Sequence, residues 1–211
     1  MGVEIDEPVV TPKALELTLT NEIGVEGKVR LLKNIAGLWL VQECRRAWIL
    51  EGKEYTYAEL TEMAAGADPF LAVIDPDQFL DPGHMPERIA AYCRRTGQPV
   101  PERPGQFVRV CLESLEALVG FHIEVIHIVG GGSRNGLLNR FVAEATARTV
   151  VAGPNEATAA GNILVQAMGA GEISGLSQIR QVVRDSFDLE TIDAPRDPAW
   201  DRAYDRYLRL K

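Results

Sequence analysis

The apolar positions of this chain follow helical spacing in some segments and strand spacing in others. Residues 29–50 carry a long apolar stripe with a repeat of about 3.6 residues, which predicts an amphipathic helix. The members of this stripe are Leu31, Ile35, Leu38 and Ile49. Residues 56–66 predict a second helix, because Thr56 followed by Glu59 is the sequence of a capping box and Gly66 ends the segment.

Strands and helices alternate in the second half of the chain. Short apolar runs predict strands over residues 70–75, 124–129 and 149–153. The predicted helices cover residues 86–95, 106–120, 135–147 and 155–171, and a terminal amphipathic helix carries Trp200, Tyr204 and Tyr207. Such alternation favours a mostly parallel sheet covered by helices. Residues 1–68 offer one long helix and no convincing strand, so we expect the sheet to lack its leading antiparallel strands.

Composition narrows the class of protein further. The 211 residues are 46% hydrophobic and 25% charged, as in an ordinary globular protein. A net charge of −8 disfavours a surface for nucleic acid or an anionic membrane, which needs a basic face. The widely spaced cysteines, with no CxxC, are expected to be free thiols; they are Cys44, Cys93 and Cys111. No apolar run approaches about 18 residues, so we expect a cytoplasmic protein without a transmembrane helix.

Three glycines, residues 130–132, separate a predicted strand from a predicted helix. Backbone N–H groups and the helix dipole make such a turn suitable for holding an anion. The turn is not a Walker A loop, since no Gly-Lys-Ser/Thr follows it. It is not the dinucleotide fingerprint either, because Asn135 stands where that motif has its third glycine. Two interpretations remain: a tight strand–helix connection, or a nucleotide turn in which Asn135 caps the helix or contacts a ribose or base.

Polar residues within the first helical segment are the other candidates. Gln42 shares the apolar stripe, so we expect its amide to be buried and to need a partner, which is either structural or a ligand. Asn34, near the start of the segment, is a helix cap or a ligand contact. His127, inside a strand, is predicted to be a core residue. No histidine has a partner at metal-binding spacing, and no residue is assigned as a metal ligand.

Four stretches together resemble the C-terminal half of the rhamnulokinases, which are FGGY carbohydrate kinases of the actin-like ATPase superfamily. The stretches are NEIGVEGKVRLLKNIAGLWLVQECRR, FLDPGHMPERIAAYCRRTGQPVPE, HIVGGGSRNGLLN and VVAGPNEATAAGNILVQAMGAGEI. They occur in the order and spacing of the family and span residues from about 3 to 190. The resemblance implies an incomplete actin-like (ribonuclease-H-like) α/β domain, with three α/β/α layers around a mostly parallel sheet.

The resemblance also implies roles for individual residues. Asn34 of LLKN is expected to reach the sugar, and Gln42 of LVQE to contact ATP. Gly131, the middle glycine, is expected to approach the nucleotide, with Asn135 beside the adenosine. The implied reaction is transfer of the γ-phosphoryl of ATP, with Mg²⁺, to the 1-hydroxyl of L-rhamnulose.

The family pattern also has parts that this chain does not match. Its catalytic aspartate, in a Gly-x-x-Asp-Thr segment, precedes the matched stretches, as does its N-terminal kinase domain. We therefore expect residues 1–211 to be a truncated C-terminal domain that is inactive alone and whose partner is the missing N-terminal domain of the same enzyme. Two alternatives stay open: another FGGY sugar kinase, for fuculose or xylulose, and a nucleotide-binding module that does no chemistry.

Overall fold

A computed structural model of the chain describes residues 2–33, 37–114 and 125–210. The chain divides into two compact units, each assembled from three stretches of sequence. The first unit comprises Met1–Ile35, His127–Arg134 and Ala152–Glu190. The second unit comprises Ala36–Ile126, Asn135–Val151 and Thr191–Lys211.

The described residues form both α-helices and short strands. The strands are β1 (Gly2–Ile5), β2 (Thr20–Ile23), β3 (Val29–Leu32), β4 (Val125–Ile128), β5 (Thr149–Ala152) and β6 (Glu190–Ile192). The α-helices are α1 (Pro12–Glu16), α2 (Trp39–Leu50), α3 (Tyr57–Ala65), α4 (Met85–Arg95), α5 (Pro104–Glu113), α6 (Gly136–Thr146), α7 (Ala157–Gly169), α8 (Leu176–Ser186) and α9 (Pro198–Leu208). Short 3₁₀ turns cover Val25–Gly27, Pro76–Phe79 and Gly130–Arg134. The chain is therefore a mixed α/β protein.

The first unit contains an antiparallel sheet in the order β1–β3–β2. β3 is its central strand and buries Val29 and Leu31, which alternate with the exposed Arg30. The sheet of β4, β5 and β6 is separate from it, so the predicted absence of leading antiparallel strands from the main sheet stays a prediction. The sheet of the first unit does correct the expectation that residues 1–68 contain no convincing strand. The error came from strand length, since four-residue strands expose too few positions for a clear alternation.

The same strand changes the predicted helix over residues 29–50. Residues 29–32 belong to β3, and helix α2 begins only at Trp39. The side of α2 that packs into the core is also different from the predicted stripe: it consists of Leu40, Val41, Glu43, Cys44, Ala47 and Trp48. Ile49, a member of the predicted stripe, is 38% exposed.

Residues 72–75 are buried and residues 70 and 71 are partly buried, but the segment does not form the predicted strand. Their backbone groups are bonded by side chains instead of by a neighbouring strand. The Gln98 amide accepts from Val73 N at 2.9 Å and donates to Val73 O at 2.9 Å. Ser114 Oγ accepts from Ile74 N at 3.0 Å, and Glu113 Oε2 accepts from Phe70 N at 2.8 Å. Side chains therefore satisfy backbone groups here that a neighbouring strand would otherwise satisfy.

The core of the second unit is formed largely by α2–α5, with contributions from α6 and α9. Helix α3 begins at the predicted capping box: Thr56 Oγ1 accepts from Glu59 N, and the Glu59 carboxylate accepts from Thr56 N. The predicted helices over 86–95 and 135–147 are confirmed as α4 and α6. The three cysteines are buried free thiols, as predicted.

A second sheet has the strand order β4–β5–β6. Strands β4 and β5 and helix α7 confirm the elements predicted over residues 124–129, 149–153 and 155–171. Strand β6 was not predicted, because three residues give no periodicity. Within the described parts of the chain, no helix has the length and apolar character needed to cross a membrane.

Candidate functional site

The glycine turn is a short 3₁₀ segment, Gly130–Arg134, that begins two residues after β4 ends. Its first residue, Gly130, has a φ of 73°, in the left-handed region that glycine adopts without steric cost. The glycine at this position is therefore required by the backbone path, independently of any ligand.

A second turn, which follows β5, holds the glycine turn in place. Gly130 N donates to Pro154 O at 3.1 Å, and Gly153 N donates to Ile128 O at 2.8 Å. Gly153 has a φ of 110°, and a Cβ on it would meet Asp188 O at 3.2 Å, so this position also requires glycine. The two turns are thus tied together by backbone bonds inside the first unit.

A side-chain contact joins the same two turns. Ser133 is 7% exposed, and its Oγ lies 2.7 Å from Gly130 O and 2.6 Å from Asn155 Oδ1. This contact was not predicted from the sequence, since Ser133 and Asn155 are 22 residues apart and match no motif. The only sequence signal was the position of both residues directly after predicted strands.

Gly131 is exposed, and a Cβ built on it meets no described heavy atom within 4 Å. The backbone is therefore uncovered at this residue of the turn. Space above an exposed backbone is what close approach of a ligand requires.

Asn135 is the N-cap of α6. Its Oδ1 accepts from Leu138 N at 3.0 Å, which satisfies one of the free N–H groups at the start of the helix. The cap confirms one of the two predicted roles of Asn135. The other role, contact with a ribose or base, stays a prediction and can use the amide N–H donors that the cap does not employ.

Gln42 does not have the predicted burial. It lies on the exposed side of α2, next to the buried Val41 and Glu43. The prediction was wrong because the stripe of residues 29–50 was continued across a β3–α2 boundary, where helical phase is lost. An exposed amide needs no protein partner, so burial no longer argues for a ligand at Gln42. The predicted ATP contact of Gln42 stays a prediction, and the predicted sugar contact Asn34 lies outside the described residues.

The predicted convergence of Gln42, Gly131 and Asn135 also stays a prediction. Gly131 belongs to the first unit, whereas Gln42 and Asn135 belong to the second.

Beside Gln42, the carboxylate of Glu43 is buried and bonded on both oxygens. Arg46 donates from Nε at 2.9 Å and from Nη2 at 2.8 Å, and Gly83 N donates at 3.2 Å. The Arg46 hydrogen bonds hold the pKa of Glu43 below its ordinary value, with help from Gly83 and against the effect of burial. These hydrogen bonds connect α2 to the loop before α4. They were not predicted from the sequence.

Histidines contribute caps and surface contacts. His84 caps α4, and its Nε2 lies 2.7 Å from Glu51 Oε1. His127 is exposed on β4, which corrects the prediction of a core histidine. His122 lies outside the described residues. Where the structure describes the chain, no three His, Cys, Asp or Glu side chains are grouped so that they could hold a metal ion.

Comparison with known proteins identifies relatives over nearly the whole chain. The sequence model of the C-terminal domain of the FGGY family of carbohydrate kinases matches residues 1–170. The rhamnulokinase of Bacteroides thetaiotaomicron is 46% identical over 97% of this chain and 44% of its own length. The rhamnulokinase of Oceanobacillus iheyensis is 39% identical, covering 90% of this chain and 43% of its own length. That of Bacillus subtilis is 37% identical over 93% of this chain and 42% of its own. This chain therefore spans less than half the length of the curated relatives it matches.

Proposed function

This chain belongs to the FGGY family of carbohydrate kinases, and we propose that it is the nucleotide-binding part of an ATP-dependent sugar kinase. In the parent reaction the γ-phosphoryl group leaves the β-phosphate oxygen of ATP and forms a bond to the 1-hydroxyl oxygen of L-rhamnulose. The proton of that hydroxyl passes to a carboxylate base. The shared name and the 37–46% identity of the relatives support L-rhamnulose over fuculose or xylulose as the sugar.

The observation that carries this proposal is the open backbone at Gly131. The backbone hydrogen bonds of Gly130 N to Pro154 O and of Gly153 N to Ile128 O hold the turn in place. No described heavy atom lies within 4 Å of a Cβ built on Gly131. A turn of this kind can accept a nucleotide against its backbone. It has no lysine to reach the outer phosphates, so we assign it to the adenosine and inner phosphates, with Asn135 beside the adenosine and Gln42 as a further contact.

In this proposal Mg²⁺ binds together with the nucleotide. The described residues hold no cluster of three potential ligands, and Mg²⁺ at nucleotide sites usually needs only one or two carboxylates besides phosphates and water. When bound, the ion neutralises phosphate charge. No residue of the described chain is assigned to it.

We further propose that the rest of the site is supplied by polypeptide beyond this chain. The relatives are more than twice as long as the part that matches, and the catalytic aspartate expected from the family has no counterpart among the matched motifs. In this view residues 1–211 form a C-terminal actin-like domain of three layers. Its partner is the remaining kinase domain, and Asn34 contacts the ketose.

An NMR titration with Mg·ADP tests the nucleotide site directly. In the ¹⁵N-labelled chain we expect the largest shift changes at residues 130–135, with a dissociation constant of about 1 mM or weaker, because a few neutral hydrogen bonds give little affinity. Gly131→Ala places a methyl group where the nucleotide approaches and should weaken binding at least about threefold, the loss of roughly one weak contact. It should leave folding intact, because the added Cβ has room.

Gly161→Ala is the matched control, since this glycine on α7 also has open space around its Cβ. It should bind Mg·ADP as the wild-type chain does. Shift changes that avoid the glycine turn altogether would show that the nucleotide assignment is wrong.

A further inference from the structure

We propose that Asn155 and Ser133 are positioning residues of the nucleotide site, because their side chains fix the backbone of the glycine turn in its open shape. The inference rests on the proposed function, since it assigns the nucleotide to the same turn. Neither residue is required to touch the nucleotide. The two act through Gly130, whose carbonyl oxygen lies 2.7 Å from Ser133 Oγ.

The direction of the hydrogen bonds follows from proton counting. Ser133 has one hydroxyl proton, but its Oγ lies near two oxygens, Gly130 O and Asn155 Oδ1. The oxygen and nitrogen of an asparagine amide can exchange places by a flip of the group. With the flipped amide, Asn155 Nδ2 donates to Ser133 Oγ, and the hydroxyl donates to Gly130 O. In this arrangement the Ser133 hydroxyl proton is directed to Gly130 O, and the Asn155 amide supplies the proton between Ser133 Oγ and Asn155.

These hydrogen bonds restrain both backbone polar groups of one residue, Gly130. Gly130 N is already bonded to Pro154 O, and the Ser133 hydroxyl holds the Gly130 carbonyl oxygen. The residue is thus fixed on both its polar groups, at a φ of 73°. Gly131, next along the chain, is left open.

Three successive glycines otherwise have wide conformational freedom, and binding would have to remove it. A turn that is already held in the bound shape binds more tightly than a mobile one. The role of Asn155 and Ser133 is therefore preorganisation, and its loss should appear in affinity and in local motion.

The test uses the whole chain with Asn155→Ala and Asn155→Asp. Both variants remove the N–H donor, and we expect the dissociation constant for Mg·ADP to rise about 2- to 10-fold, the loss of one hydrogen bond. ¹⁵N relaxation should show greater fast motion at residues 130–134 in the nucleotide-free variants. Asn162→Ala is the control, because Asn162 is exposed on α7 and bonds only within its helix, to Gln166.

The outcomes separate this inference from the proposed function. If the wild-type chain shows no shift changes at the turn with Mg·ADP, the nucleotide proposal itself fails. If the wild type binds at the turn and either Asn155 variant keeps the wild-type dissociation constant, the positioning role is overturned and the nucleotide site stands. A purely structural role predicts a lower urea midpoint with unchanged affinity of the folded protein, which also contradicts the proposal.

Discussion

At the scale of single residues, Glu43 is a buried charge with several hydrogen-bond partners. Its side chain is 6% exposed, and it receives two hydrogen bonds from Arg46 and one from Gly83. Glu43→Gln keeps an acceptor for Gly83 but removes the charge, so we expect the free energy of unfolding to fall by about 1.5–3 kcal/mol at pH 7. Urea unfolding measures this, with Glu87→Gln as the control.

Glu87 forms an exposed ion pair with Arg94, so its loss should cost about 1 kcal/mol or less. The pH dependence supplies a second check on Glu43. Its pKa in the folded chain is lowered from 4.5, so the folded state binds this proton less readily than the unfolded state. The stabilisation is complete above the unfolded pKa and is lost as the pH falls through the lower, folded pKa. A difference between wild type and Glu43→Gln that persists undiminished below that pKa would contradict this account.

At the scale of elements, the segment 70–75 depends on side chains from elsewhere in the chain for its backbone hydrogen bonds. Gln98 bonds both the N–H and the C=O of Val73, which is 2% exposed. Gln98→Ala leaves both groups without this partner, so we expect the free energy of unfolding to fall by about 2–4 kcal/mol, since each unsatisfied buried group costs about 1–3 kcal/mol.

Gln181→Ala is the matched control, because Gln181 is an exposed residue of α8 that bonds to Asp185 on the same helix. Its free energy of unfolding should stay within about 0.5 kcal/mol of the wild type. A Gln98→Ala chain as stable as the control would mean that water replaces the amide in this segment.

Elements with their own local signals were predictable, and those set by distant partners were not. Thr56 and Glu59 specify the start of α3 through contacts three residues apart, so the sequence contained the whole signal. Residues 70–75 have the composition of a buried strand, but their hydrogen-bond partners come from 25 to 43 residues away. The prediction that Gln42 is buried failed for a related reason, because the apolar repeat does not keep its helical phase across the boundary between β3 and α2.

The candidate site divides in the same way. The open glycine turn and the cap by Asn135 follow from consecutive residues, and both were predicted. The Ser133–Asn155 contact joins two turns that are adjacent only because β4 and β5 lie in one sheet. Position in the sequence suggested a ligand contact for Asn34 and Gln42, but the sugar and ATP came from family resemblance, since no local pattern of charge or spacing specifies either ligand.

At the scale of the whole molecule, the length of the chain limits how many groups it can offer to a nucleotide. This chain corresponds to 44% of the Bacteroides thetaiotaomicron rhamnulokinase. It offers an open backbone turn and a small number of amide groups, and each neutral hydrogen bond contributes about 0.5–1.5 kcal/mol. Even millimolar affinity requires about 4 kcal/mol, so the chain should bind nucleotide only weakly.

We therefore expect this chain alone not to phosphorylate L-rhamnulose. In the proposed assignment the general base and the other kinase domain lie outside this chain. Loss of a general base lowers a rate by about 10²–10⁴, and loss of the other domain would also remove substrate positioning and the exclusion of water. A coupled assay of ADP release measures this, with the Bacteroides thetaiotaomicron rhamnulokinase as the positive control and the chain without sugar as the blank. Sugar-dependent turnover at more than about one hundredth of the control rate would exceed what loss of the base permits. It would place a catalytic carboxylate among the residues of this chain.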